Sequence, residues 1–291
     1  MSGRAWLTGL LGLALAAAAA AEAPAALSVR GERLFLAVEV NGKKTDALLD
    51  SAAESSLIDP SFASELKLPV SGEATARGSG GQQPARFARV SVRAASVSMP
   101  DLTVAVVDLS DVSRRLVGSP VRFILGRELF DAARLRIDID GGSIHVLDRR
   151  SPVKGMELAL TGHAGIESIP VRVEGITAAA DIDLGNGGDV LIGKAFAERR
   201  GLLSPGRIVA TQRGGGIGGE IERELIRLAT LEIADSTLRD VEAAVDPMDN
   251  AGDLNLGVRV LRRFIIVADF AQRRIWLQPR PLADERSPVK Y

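Results

Sequence analysis

Residues 47–55 read ALLDSAAES, and residues 179–189 read AADIDLGNGGD. In each, an apolar strand-like run stops at an acid, Asp50 or Asp183, and then turns through small residues. Such a pattern predicts a buried strand that opens into a tight loop. An Asp at a strand end is ordinarily a turn residue or a helix cap. Here the arrangement occurs twice, and its surroundings are repeated as well.

The repeat extends over most of the chain. FILGRELFDAARLRIDIDGGSIHVL (123–147) aligns with LNLGVRVLRRFIIVADFAQRRIWLQ (254–278) at one constant offset. Leu125-Gly126 then falls on Leu256-Gly257, Asp138 on Asp269 and Ile144 on Ile275. Glycine-rich turns, RGSGGQQ (77–83) and RGGGIGGE (213–220), lie between the acid and the Leu-Gly pair in both halves. DRRSPVK (148–154) nearly recurs as DERSPVK (284–290). Matches in the same order argue for an internal duplication, with a seam near Ser151 to Gly155. The expected organisation is a first lobe over 27–150, a second over 156–280 and a tail over 281–291.

Short runs of Val, Ile and Leu separated by Gly, Pro, Asp and Asn predict a mostly β protein. RLFLAVEVNGKKTDALLD reads as a hairpin turning at Asn41-Gly42, a pair suited to positive φ. RLRIDIDGGSIHVLD reads as another turning at Gly141-Gly142, and RFARVSVRAASVSMPDLTVAVVDL supplies at least two more strands. One short helix per lobe is expected. Asp59 caps the first with Pro60 at its first position, and Gly201 stops the second after IGKAFAERR. Trp276 and Phe270 fall at core positions of strands, and Asp138, Asp140 and Asp269 at hairpins.

Composition narrows the chemistry. The 291 residues carry a formal net charge of -1, so no basic field points to nucleic acid. There is no cysteine, which excludes disulfides, thiolate zinc sites and thiol catalysis. The two histidines, His145 and His163, are read as structural or solvated, and neither a metal nor another cofactor is expected. RGGGIGG has spaced glycines but no strand–helix crossover around it, which argues against a dinucleotide loop. Residues 1–21 read as an export signal, with Arg4, then WLTGLLGLALAAAAA, then alanines up to Ala21. The mature chain is expected in the periplasm or secreted, with no membrane span.

Taken together, these residues resemble the aspartic proteases, and the retropepsin-like bacterial branch more than the long pepsin-type chains. The family pattern in each lobe is a strand ending in Asp-Thr/Ser-Gly, a flap hairpin, and an apolar-apolar-Gly segment behind the acid. The first lobe offers Asp50-Ser51-Ala52-Ala53 and Ile124-Leu125-Gly126. The second offers Asp183-Leu184-Gly185-Asn186 and Asn255-Leu256-Gly257. The resemblance spans Leu27 to Pro279. It implies a duplicated retropepsin-type β fold with an Asp50/Asp183 dyad that activates water against a peptide bond. Ser51, Ala52, Gly185 and Asn186 would shape the catalytic loops. Gly78, Gly80 and Gly81 in one hairpin, and Gly214, Gly215 and Gly216 in the other, would form flaps over a peptide or protein substrate. With one acid from each half, a monomer suffices.

Two positions depart from the pattern. Ala52 replaces a glycine, costing little at negative φ and roughly 1–2 kcal/mol at positive φ. Leu184 replaces a hydroxyl whose family role is a bond across to the opposite loop, worth on the order of 1 kcal/mol. The same departures define the alternative, an inactive protease-like protein that binds a peptide or envelope component.

Overall fold

The computed structural model describes residues 23–162, 165–248 and 251–280. The expected export signal, the 281–291 tail and His163 lie outside the described residues.

The first half runs β1 (Ala25–Arg30), β2 (Arg33–Val40), β3 (Lys43–Leu49), β4 (Leu57–Ile58) and β5 (Ser71–Gly78). It continues with β6 (Gly81–Ala94), β7 (Val97–Val106), β8 (Phe123–Leu125), β9 (Arg134–Asp138) and β10 (Ser143–Leu147). The second half runs β11 (Met156–Ala159), β12 (Ser168–Val173), β13 (Ile176–Ile182), β14 (Val190–Gly193) and β15 (Ile208–Gly216). It ends with β16 (Gly219–Ile233), β17 (Ser236–Asp246), β18 (Leu254–Leu256), β19 (Phe264–Asp269) and β20 (Arg274–Pro279).

Neighbouring strands follow the order β2-β3-β8-β4-β7-β6-β5 in one lobe and β12-β13-β18-β14-β17-β16-β15 in the other. Each curls so that its second strand also meets its long hairpin strand, β2 with β6 and β12 with β16. The two orders match strand for strand, as a duplication requires. The remaining strands form a sheet that belongs to both lobes, β11-β20-β19-β9-β10-β1. Its centre is the antiparallel pair β9–β19, with Ile137 opposite Ile266.

Local chemistry explains the turns. Asn41 and Gly42 adopt φ of 47° and 82°, the left-handed corner that Asn and Gly tolerate best. The expected helices form as α1 (Pro60–Glu65), whose Asp59 accepts from Ser61 N at 2.9 Å, and Lys194–Arg199, followed by Gly201 at φ +67°. One helix per lobe was too few. Each lobe adds a short turn behind its Leu-Gly pair, Glu128–Ala132 and Val258–Leu261, and the first lobe also holds a π-helix, Val112–Val117. These four- to six-residue elements fall within segments whose strand-like apolar runs dominate the pattern.

The main core runs continuously through both lobes, and Phe62, Phe130, Phe196 and Phe264 are fully buried in it. Phe130 stacks on Phe270 with ring centroids 4.9 Å apart, joining the lobes, and Trp276 is buried as expected. Asp269 is more than a hairpin residue. It is wholly buried and paired with Arg134 and Arg149 at 3.3 and 3.1 Å. A smaller apolar cluster in the first lobe contains Phe35, Leu48, Ala85, Val107 and Ile124, with the π-helix valines packed on it.

Candidate active site

Strands β3 and β13 each end one residue before an acid. Asp50 N donates to Leu125 O at 3.0 Å, and Asp183 N donates to Leu256 O at 3.1 Å. The parallel pairs β3–β8 and β13–β18 thereby carry both carboxyl groups to one gap between the lobes. There they meet, and Asp50 and Asp183 are hydrogen-bonding neighbours. A Cβ on Gly185 would sit 2.4 Å from Asp50 Cγ, so only glycine lets the second loop approach this closely.

The two acids are solvated differently by the protein. Asp50 Oδ1 accepts from Ala52 N at 3.0 Å, and the Ala53 amide adds a weaker contribution. Asp183 Oδ1 accepts from Gly185 N and Asn186 N at 2.8 and 3.0 Å, and its Oδ2 accepts from Asn255 Nδ2 at 2.7 Å. Asn255 is itself held by Asn186 Nδ2, which donates to Asn255 Oδ1 at 2.8 Å. Burial, then the neighbouring Asp183 charge, pushes the Asp50 carboxyl up to about 8. Burial also raises Asp183, opposed by its three donors and by the positive charge of Arg33. Asp50 and Asp183 are each only partly buried as residues. The environment therefore favours ionisation at Asp183 and protonation at Asp50.

Ser51 ties the loops together. Its buried hydroxyl donates to Ile182 O at 2.6 Å and accepts from Leu184 N at 3.0 Å. Leu184 returns no such bond, so the cross-lobe grip is one-sided. Ala52 is not among the residues with positive φ, and its methyl therefore brings no left-handed strain. Behind the acids, Gly126 and Gly257 pack onto loop backbone, where a Cβ would lie 2.8 Å from Ala53 O and 2.2 Å from Gly188 O respectively.

The glycine-rich hairpins β5–β6 and β15–β16 meet tip to tip. Gly80 N donates to Ile217 O at 3.1 Å. A Cβ on Gly78 would sit 2.6 Å from Ile217 Cβ, one on Gly80 2.0 Å from Gly219 O, and one on Gly216 2.6 Å from Ser79 Oγ. Gly81 and Gly215 take φ of +138° and +107°, values that side chains resist. Gly214 leaves room for Arg223, whose Nη1 a Cβ would approach to 2.6 Å.

Four further side chains around the acids and hairpin tips escape a reading of the two acid motifs. Arg33 lies beside the dyad, its Nη1 donating to Gly31 O and Leu116 O at 2.7 and 3.1 Å. Arg115, paired with Asp111, donates to Gly214 O, Gly216 O and Gly219 O at 2.8, 3.4 and 3.0 Å. Arg223 donates to Ser79 O at 2.8 Å. Asn255 was visible only as a polar residue in an apolar-apolar-Gly position. Arg223 had a comparable signal, since IEREL places it in register with Ile221 and Leu225. Among the described residues, no cluster of His, Asp and Glu could hold a metal ion. Two grooves on the first lobe, beside α1 and around Gly118 to Arg122, include neither acid.

Fold and site together define a duplicated aspartic-protease architecture, with one acid loop and one flap per lobe. A family model described as aspartyl protease matches residues 36–129 and again 169–260, and the chain belongs to that family. Among solved structures it is similar to a retropepsin-like aspartic protease from Rickettsia conorii, at 20% identity and a TM-score of 0.35, covering 42% of this chain and 88% of that one. A comparison with curated proteins finds no match.

Proposed function

We propose that the chain is an exported, monomeric endopeptidase that hydrolyses peptide bonds with a water held between Asp50 and Asp183. The unequal hydrogen bonding of two adjacent carboxyl groups carries this reading. Two acids so close share one proton over a range of pH. Asp183, with three donors and a nearby arginine, is the partner suited to take a proton from the water. Asp50 is suited to donate to the scissile carbonyl oxygen as the water adds to its carbon. Asp183 then passes its proton to the departing nitrogen, the C–N bond breaks, and Asp50 takes back a hydroxyl proton as the new carboxylic acid forms. The substrate backbone would lie extended under the flap hairpins, whose exposed amides and carbonyls can pair with it. Export rests on the apolar N-terminal run.

The deciding experiment incubates the purified mature protein with a peptide pool from about pH 3 to pH 8, spanning carboxyl titration. Cleavage that a statine-type inhibitor blocks, and that Asp50→Asn and Asp183→Asn each abolish, supports the proposal. Cleavage that survives both substitutions removes the dyad from the mechanism. Tight peptide binding without products would favour the inactive binding protein instead.

A further inference from the structure

Because the lobes match strand for strand, each strand position in one has a counterpart in the other. Phe35 lies opposite Leu48 in the first lobe, and Ser168 opposite Asp181 in the second. Leu57 pairs with both Ala105 and Ile124, as Leu191 pairs with both Ala244 and Asn255. One residue beyond the pairs Ile58–Val106 and Ile192–Val245 stand Val107 and Asp246. Phe87 opposes Ala105 and Leu225 opposes Ala244, so Ala85 corresponds to Arg223.

The comparison separates the two sides by chemistry. Phe35, Leu48, Ala85, Val107 and Ile124 all belong to the smaller apolar cluster. Their counterparts are Ser168, Asp181, Arg223, Asp246 and Asn255, and every one is polar. The flap tips divide the same way. Ile217, from the second lobe's hairpin, packs on the first lobe's apolar set. Its counterpart Ser79 lends its carbonyl to Arg223 instead.

Within the polar set the cation is the group short of partners. Arg223 is 5% exposed, and its Nε has no hydrogen-bond partner among the described residues. A buried guanidinium with an unmet donor is costly. Asp246, the acid whose charge reaches Arg223, also accepts from Met248 N and Ala251 N, both at 3.2 Å. Asp181 accepts from the Ser168 hydroxyl at 2.6 Å. Burial lowers the Arg223 pKa; the negative charge of Asp246 offsets part of that, and the positive charge of Arg115 works against Asp246. The Ser79 carbonyl is a neutral acceptor at a position where a carboxylate would bind more strongly.

Resting on the peptidase reading, we infer that the cleft selects acidic peptides, seating an apolar side chain against the first lobe and an Asp or Glu side chain against Arg223 under the second. Entry of that carboxylate displaces Ser79 O from Arg223, so recognition of the acid and opening of the flap contact are one event.

The test uses the whole mature protein and peptide pairs that differ only by Glu or Gln, on either side of the scissile bond. Wild type should cleave the Glu peptide of one pair with a kcat/KM about tenfold or more higher, the scale of a charge-assisted hydrogen bond. Arg223→Gln should bring that ratio to about one, Arg223→Lys should keep part of it, and Arg223→Glu should favour Lys over Glu at the same position. Because each ratio is internal to one protein, loss of overall activity in a variant does not imitate the effect. An equal rate on Glu and Gln peptides in wild type, or a ratio unmoved in Arg223→Gln, overturns the inference. If no peptide is cleaved, the peptidase reading fails separately. Calorimetric binding of statine-containing Glu and Gln peptides then decides the preference, with equal affinity overturning it.

Discussion

The hydroxyl of Ser51 holds the amide of Leu184 across the lobe boundary, and the Leu184 side chain holds nothing in return. One serine thus satisfies both a buried amide and a buried carbonyl of the opposite loop. Ser51→Ala leaves both unpaired and should lower the unfolding free energy by about 2–4 kcal/mol. Ser51→Thr keeps the oxygen and should lose much less. Denaturant unfolding of the two variants measures the difference, and equal stability would show the grip to be dispensable.

Gly185 and Ala52 occupy corresponding places after the two acids but answer differently to a methyl group. In Gly185→Ala the new carbon collides with the Asp50 carboxyl, and a displacement of about 1 Å should reduce kcat on the order of a hundredfold. Ala52→Gly should retain activity and cost at most about 1 kcal/mol, through added chain entropy alone. Steady-state kinetics of both variants on one peptide give the comparison.

Stability should fall as pH rises from about 4 to about 8. The folded Asp50 carboxyl is raised to about 8 by burial and by Asp183, whereas the unfolded one titrates near 3.8. Below the unfolded value both states hold the proton. Between the two values the unfolded chain has released it while the folded one still binds it, so folding loses ground up to the folded value. Asp50→Asn removes this penalty. Its Tm should match wild type near pH 4 and exceed it near pH 8, and a parallel pair of Tm curves would contradict the assignment.

Arg33 should set the acidic limb of the activity profile. Its positive charge favours the ionised form of Asp183. Arg33→Gln therefore raises the Asp183 pKa, and kcat/KM should begin its rise at a higher pH, narrowing the active window from below. The alkaline limb, dominated by the burial of Asp50, should move less. An unchanged acidic limb would separate Arg33 from the dyad.

The duplicated plan is legible in the sequence because it depends on local signals that recur in order. Asp50 and Asp183, the Leu-Gly pairs and the glycine turns keep their spacing, and Asn41-Gly42 marks its own corner. What escapes is set by side chains that act across long separations. Arg33 meets Asp183 only because two lobes close together, and nothing around RLFLAV distinguishes it from a solvated strand-end charge. Arg115 sits on the π-helix, a turn type without a strong sequence signature. Arg223 and Asn255 were detectable as polar residues in apolar registers, a violation of the strand pattern that falls on the cleft.

The sheet shared by the lobes dictates when the molecule can be finished. β9 takes β10 on one side and β19 on the other, so one of its edges stays bare until Phe264–Asp269 has been synthesised. The first lobe, though its acid loop and flap are made early, cannot close its own border without a strand from the second half. A growing polypeptide of this kind keeps that border open until the second half has been made, so the first lobe finishes folding only together with the second. Assembly of the cleft is thereby postponed until both acids have been made.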